Sequence, residues 1–224
     1  MLFAAVAWAG AAKAMVTSPG SATPWEDSLG VGEGWMLTAG WFFKDTMFYS
    51  NARGGVHVAM GRVLRVSRNA GVWIGSGGFS SSGSFRSADS SFDEYDTSFR
   101  GWLVHTDVGL VTPWFPFPVS LVFYSHSTRI EDRALSGPFS GCLFKGSDSG
   151  AGLGMSVQIV LEFFLNSSPR PPRGPALVVA YMGFWDLTAK DIETVKEGGG
   201  AYLVHKDWKP IRGESLRAGV EYEF

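Results

Sequence analysis

RGESLRAGVEYEF, residues 212–224, alternates with a period of two. Leu216, Ala218, Val220, Tyr222 and Phe224 fall on one face, and Arg217, Gly219, Glu221 and Glu223 on the other. This is the pattern of a β-strand with an apolar side and a polar side. Chain ends of soluble domains usually fray into water and gain little from a final aromatic residue. A closing strand of an outer-membrane barrel does gain, because it seals the sheet and sets aromatics at the lipid–water boundary. Leu216, Val220, Tyr222 and Phe224 are therefore read as a lipid-facing closing and assembly signal.

The composition suits that reading without requiring it. Charged residues make up 18% of the 224, against about 25% in typical soluble domains, while 9 Trp, 17 Phe and 6 Tyr enrich the chain in aromatics. No apolar run is long enough for a membrane-spanning helix. A formal net charge of −2 and the lack of a Lys/Arg cluster exclude a dedicated nucleic-acid binder. The single cysteine, Cys142, rules out an intramolecular disulfide and a cysteine zinc site, and reads as an incidental loop residue. Four histidines without paired spacing give no metal site, and no cofactor is expected. Residues 1–14, MLFAAVAWAGAAKA, form an apolar core followed by Ala12-Lys13-Ala14, the small-x-small pattern of a signal-peptidase site. They lack the usual basic start, but read as an export signal, with a mature chain from about Met15. Residues 15–33 read as an extended periplasmic arm, and 34–224 as the barrel.

Eight strands are expected at about 34–44, 55–66, 71–81, 98–112, 117–127, 150–165, 175–188 and 212–224. Arg62 interrupts the apolar face of the second. The glycine-rich third invites a bulge. The seventh is apolar on both faces, so periodicity does not choose its lipid side. The links alternate strictly. Residues 67–70, 113–116 and 166–174 are short or Pro-rich, whereas 45–54, 82–97, 128–149 and 189–211 are long and polar. Residues 188–197 are expected to supply at most an exposed helical turn. Short turns at one end and long loops at the other are the cadence of an all-β, eight-stranded, antiparallel, up-and-down transmembrane β-barrel. An even strand number places both termini on the short-turn, periplasmic side of a bacterial outer membrane. A soluble lipocalin-like barrel, suggested by Gly34-Trp35, would bury its apolar face inside.

The closing strand ending Gly219-Val220-Glu221-Tyr222-Glu223-Phe224, with its lead-in Asp207-Trp208-Lys209-Pro210, resembles the OmpW/OprG family of eight-stranded outer-membrane barrels. The likeness is architectural along the chain and extends to residue motifs only over about the last eighteen positions. It implies a narrow barrel passing small hydrophobic molecules laterally into the bilayer. The primary expectation is therefore a passive channel. The alternative is a closed barrel whose long loops form an adhesive or ligand-binding surface. Outer-membrane lipid and the barrel-assembly machinery are the implied partners.

Polar residues on expected inward faces are His57, Arg65, His105, Asp107, Gln158, Glu162, Arg217, Glu221 and Glu223. They would form either a selective constriction or paired charges filling the lumen, since eight strands leave room for little more than side chains, and the filling role is the favoured one. Catalysis is considered at Ser125-His126-Ser127, with Glu131 and Asp132 nearby. Adjacent strand residues face opposite sides, so neither serine shares a face with His126, and no enzyme is expected. The glycine runs 30–34 and 150–154 lack the helix and Lys-Ser/Thr pair of a phosphate loop.

Overall fold

A computed structural model describes residues 34–44, 54–67, 70–88, 93–112, 115–163 and 175–223. The expected export signal, the arm and Phe224 lie outside the described residues, as do the side chains of Glu162 and Glu223. The strands are β1 Gly34–Lys44, β2 Gly55–Ser67, β3 Ala70–Ala88, β4 Glu94–Thr112, β5 Phe115–Ala134, β6 Leu143–Phe163, β7 Pro175–Asp186, β8 Lys190–Lys196, β9 Tyr202–Trp208 and β10 Gly213–Glu223. All pairings are antiparallel. β1 to β7 and β10 form a closed ring of eight, in which β10 bridges β7 and β1 and β5 pairs with β6.

Alternation sorts the wall into two faces. On β10, Ser215 and Arg217 are buried inside, while Leu216, Val220 and Tyr222 are exposed outside. On β7, where periodicity was silent, Ala176, Val178, Ala180, Met182 and Phe184 turn inward and Leu177 and Trp185 outward. The outer face is an apolar band with aromatic margins. Trp41, Trp102, Phe123 and Trp185, each at least half exposed, mark its upper limit, the end carrying the long links. Trp35, cross-strand from Tyr222, marks the lower limit. Arg62, the charge that interrupts β2, lies over the Trp35 ring at 5.4 Å, so it sits at the lower boundary, where a basic side chain reaches water. A belt of this kind has no place in water, and matches a hydrocarbon slab edged by amphipathic rings.

The wall is uneven. β3 to β6 have 19, 19, 20 and 21 residues, against 11, 13, 12 and 11 for β1, β2, β7 and β10. At about 3.4 Å per residue the long strands run roughly 25 Å further along their own direction. This corrects the expected loops at 82–97 and 128–149, which are mostly strand. It also corrects 189–211: no helical turn forms there, but a hairpin, β8–β9, turned by Gly198, Gly199 and Gly200 at φ of 92°, 82° and 87°. The hairpin joins the sheet through Phe144↔Lys196 and Lys145↔Val195. The helical reading failed because Ile192 and Thr194 point in while Asp191 and Glu193 point out, a period of two rather than 3.6. The expected bulge in β3 falls instead in its partner β2, between Arg65 and Ser67 at the lower turn.

Candidate functional site

Inside the bilayer-spanning part, polar groups from several strands meet. His105 and Asp107 are two apart on β4 and so share the inner face. The facing β3 positions are glycines: a Cβ at Gly77 would stand 2.7 Å from His105 Nε2, and one at Gly75 2.6 Å from Asp107 Oδ1. The glycines of β3 thus give the large polar side chains room to lie across the lumen. His57 Nδ1 is 2.6 Å from Ser215 Oγ, and His57 Nε2 is 3.0 Å from His105 Nε2. His105 Nδ1 is 3.2 Å from Asp107 Oδ1, and Trp73 Nε1 donates to Asp107 Oδ2. The His–His contact needs a lone pair on one Nε2, so at most one of these rings is an imidazolium. Arg217 Nη2 donates to Gln158 Oε1 at 3.4 Å, and Asp107 is its counter-charge. The chain Ser215–His57–His105–Asp107 has hydroxyl–base–acid order, but every member is buried to 3% exposure or less. No substrate atom could reach Ser215. The arrangement ties the wall together: hydrogen bonds join β10 to β2, β2 to β4 and β3 to β4, and His105 and Asp107 meet as a close electrostatic pair.

Directly above lies an apolar layer. Phe42, Phe79 and Phe184 contact one another, with Phe42 and Phe79 stacked at 4.0 Å between centroids. Leu103, Val122, Tyr124, Met182 and Ile211 complete the layer. Ile211 comes from the β9–β10 connection and is fully buried, so this link turns into the lumen. A lower apolar layer of Met36, Trp73 and Val178 lies beneath the network. The lumen at these levels is packed side chain, as eight strands dictate.

Above the membrane band, acids tie the hairpin and the end of β7 to the long strands. Asp132 on β5 accepts from Thr97 Oγ1 (2.6 Å), Thr194 Oγ1 (2.5 Å) and His205 Nε2 (2.9 Å). Burial alone would raise its carboxyl, but these hydrogen bonds and the His205 charge outweigh that and hold it below the ordinary carboxylate value. Asp148 pairs with Lys190 and lies 3.4 Å from His126 Nε2. Asp186 accepts from Tyr124 Oη at 2.8 and 2.7 Å and from Thr188 Oγ1 at 2.9 Å. Phe85, Phe99, Ile130, Ile192 and Trp208 pack among these ties. The upper sheet is therefore a cored platform and not a set of free loops.

The inward candidates separate accordingly. His57, His105, Asp107, Gln158 and Arg217 gather in the network. Arg65 is exposed at the lower end of β2 and does not face the lumen with the other inward candidates. Glu162, whose side chain lies outside the described residues, pairs in register with Val178. Glu221 is partly buried near the lower end. His126 points inward, whereas Ser125 and Ser127 face outward. Trp73, Ser215, Asp148 and Asp186 carry ties at positions the sequence does not flag, and Asp132, considered there only as an acid near His126, instead holds Thr97, Thr194 and His205. For Asp132, the alternation Thr128, Ile130, Asp132, Ala134 was the available signal. Cys142 lies at the upper end, half buried against Tyr95, Ala134 and Phe144.

No protein-family description and no curated protein sequence matches the chain. Among solved structures the fold is similar to Ail, the attachment invasion locus protein of Yersinia pestis, with 11% identity, 87% of this chain and 99% of that one covered, and a TM-score of 0.40. It is similar to a major outer membrane protein from Thermus thermophilus, with 14% identity, 87% and 100% covered, and a TM-score of 0.38. It is similar to the outer membrane protease OmpT from Escherichia coli, with 10% identity, 76% and 63% covered, and a TM-score of 0.36. At these scores no residue role or activity is transferred. The chain's own wall makes the case: eight closed strands, an apolar outer band and two aromatic margins form a transmembrane β-barrel.

Proposed function

We propose that the chain is a bacterial outer-membrane barrel with a closed lumen, and that its raised upper sheet is an extracellular binding surface. The observation that carries this is the filled cross-section: the Phe42–Phe79–Phe184 layer stands directly on the His57–His105–Asp107 network. A solute route through the axis would have to displace both. The OmpW/OprG likeness of residues 207–224 would imply lateral passage of hydrophobic molecules, and the packed layer weighs against that use. The platform held by Asp132, Asp148 and Asp186 supports the binding role, since a preordered surface loses little entropy on engaging a partner. In this reading the termini are periplasmic, the band contacts outer-membrane lipid, and Leu216, Val220, Tyr222 and Phe224 serve the assembly machinery.

Planar-bilayer conductance and liposome uptake of the purified barrel test the proposal. We expect no flux above protein-free membranes for polar and apolar probes alike. Reproducible unit conductance, or uptake of an apolar probe, would restore the channel.

A further inference from the structure

The outward face of the upper wall, which the proposed function leaves unspecified, can be laid out from the strand register. Moving up from the membrane band, one row reads Ser76, Thr106, Phe123, Leu153 and the next Gly78, Val104, Ser125, Ala151. The following row is Ser80, Trp102, Ser127, Ser149. Above it come Ser82, Arg100, Arg129 and Ser147. The wall thus changes from hydrocarbon-facing to polar within two rows, and Trp102 marks the change.

In the first row above Trp102, two arginines stand directly opposite each other on β4 and β5. Directly opposed like charges are destabilising in a sheet. Among the described residues, neither arginine has an ion pair with a carboxylate. Both are exposed. Small residues flank them, leaving a trough of about 520 Å³ lined by Ser82, Gly83, Ser84, Ser98 and the two arginines, with Glu131 on its upper side. The pair lies about 7 Å along the strand from Trp102, at the depth of lipid headgroups.

We propose that Arg100 and Arg129 bind the phosphomonoester of a membrane-lipid headgroup. A phosphomonoester carries close to two negative charges and three free oxygens, enough for both guanidinium forks at once. A phosphodiester offers two such oxygens and one charge, so it engages the pair less completely. Ser84 supplies a hydroxyl for an adjoining phosphate oxygen, Ser82 and Ser98, whose hydroxyls donate to the Gly54 and Glu131 carbonyls, can accept from sugar hydroxyls, and Glu131 keeps the anion on the membrane side of the pair. This inference uses the membrane placement of the wall and does not depend on whether the lumen is closed.

The test is equilibrium binding to the folded full-length chain in phosphatidylcholine nanodiscs, with diphosphoryl lipid A as probe and its dephosphorylated form as comparison. We expect the phosphorylated lipid to bind roughly tenfold or more tightly. In the variant with Arg100→Gln and Arg129→Gln that ratio should fall to about one. Equal binding of the two lipids by the parent chain, or a ratio unchanged in the variant, overturns the proposal. Displacement of lipid A by excess inorganic phosphate would assign the site to a soluble anion and overturn the lipid source, and resistance to displacement supports it. The variant loses a repulsion and should keep heat-modifiable migration in detergent gels. If it does not fold, Arg129→Gln alone should lower the ratio, and an unchanged ratio there overturns the proposal equally. Bilayer conductance is independent of all these outcomes.

Discussion

Asp132→Ala should detach the β8–β9 hairpin while leaving the membrane ring intact. The carboxylate has no solvent exposure and accepts three hydrogen bonds, from Thr97, Thr194 and His205. A hydrogen bond to a charged group contributes about 1.5–3 kcal/mol, but bonds sharing one acceptor do not add. Breaking a buried pair by removing one partner costs about 3–5 kcal/mol. His205 is 12% exposed in its side chain and can turn to water, so about 3 kcal/mol is the expected loss, roughly a hundredfold in the local opening equilibrium. Amide hydrogen exchange read by mass spectrometry checks this. Protection at 192–195 and 203–205 should fall by that factor, with β1 and β10 unchanged. A fall of less than threefold, or a uniform fall over the whole barrel, would refute the latch. The pH dependence follows from the lowered carboxyl. Stabilisation is full above the unfolded value of 3.8 and is lost as pH falls through the still lower folded value. The parent hairpin should therefore lose protection only below about pH 3.8, and Asp132→Asn should abolish that acid limb.

The lumen and the wall offer further checks. Phe184→Ala removes a fully buried ring touching Phe42 and Phe79, and urea titration in lipid should show a loss of about 3–5 kcal/mol. Leu121→Arg, in the lipid band of β5, should cost about 2–4 kcal/mol, whereas Ser127→Arg, level with Trp102, should cost about 0–1 kcal/mol. Equal costs would misplace the membrane boundary. Cys142, at the upper end, should react with a membrane-impermeant maleimide in intact cells, more slowly than an exposed thiol because it packs near Tyr95 and Phe144. Labelling only after lysis would invert the orientation.

The barrel was legible in the sequence because one physical rule, apolar toward lipid and anything else inward, acts on each spanning residue in turn. Leu216, Val220 and Tyr222 face out and Arg217 faces in for that reason, and a period of two is visible without knowing any partner. Above the membrane the rule lapses, since water accepts polar residues outside while Asp132 and Thr194 are acceptable inside once they meet each other. Residues 128–134 and 190–208 therefore read as loops although they are mostly strand.

The sequence alone carried the up-and-down cadence of the membrane-crossing strands and the lipid face of the closing strand, whereas the expected long links at 82–97 and 128–149 are mostly strand. The three-dimensional fold was needed to bring Phe42, Phe79 and Phe184 together across the lumen, to set His57 against His105 from a strand 48 residues away, and to stand Arg100 beside Arg129. Those facts depend on register between strands, and register is set by all the cross-strand contacts together rather than by any one segment.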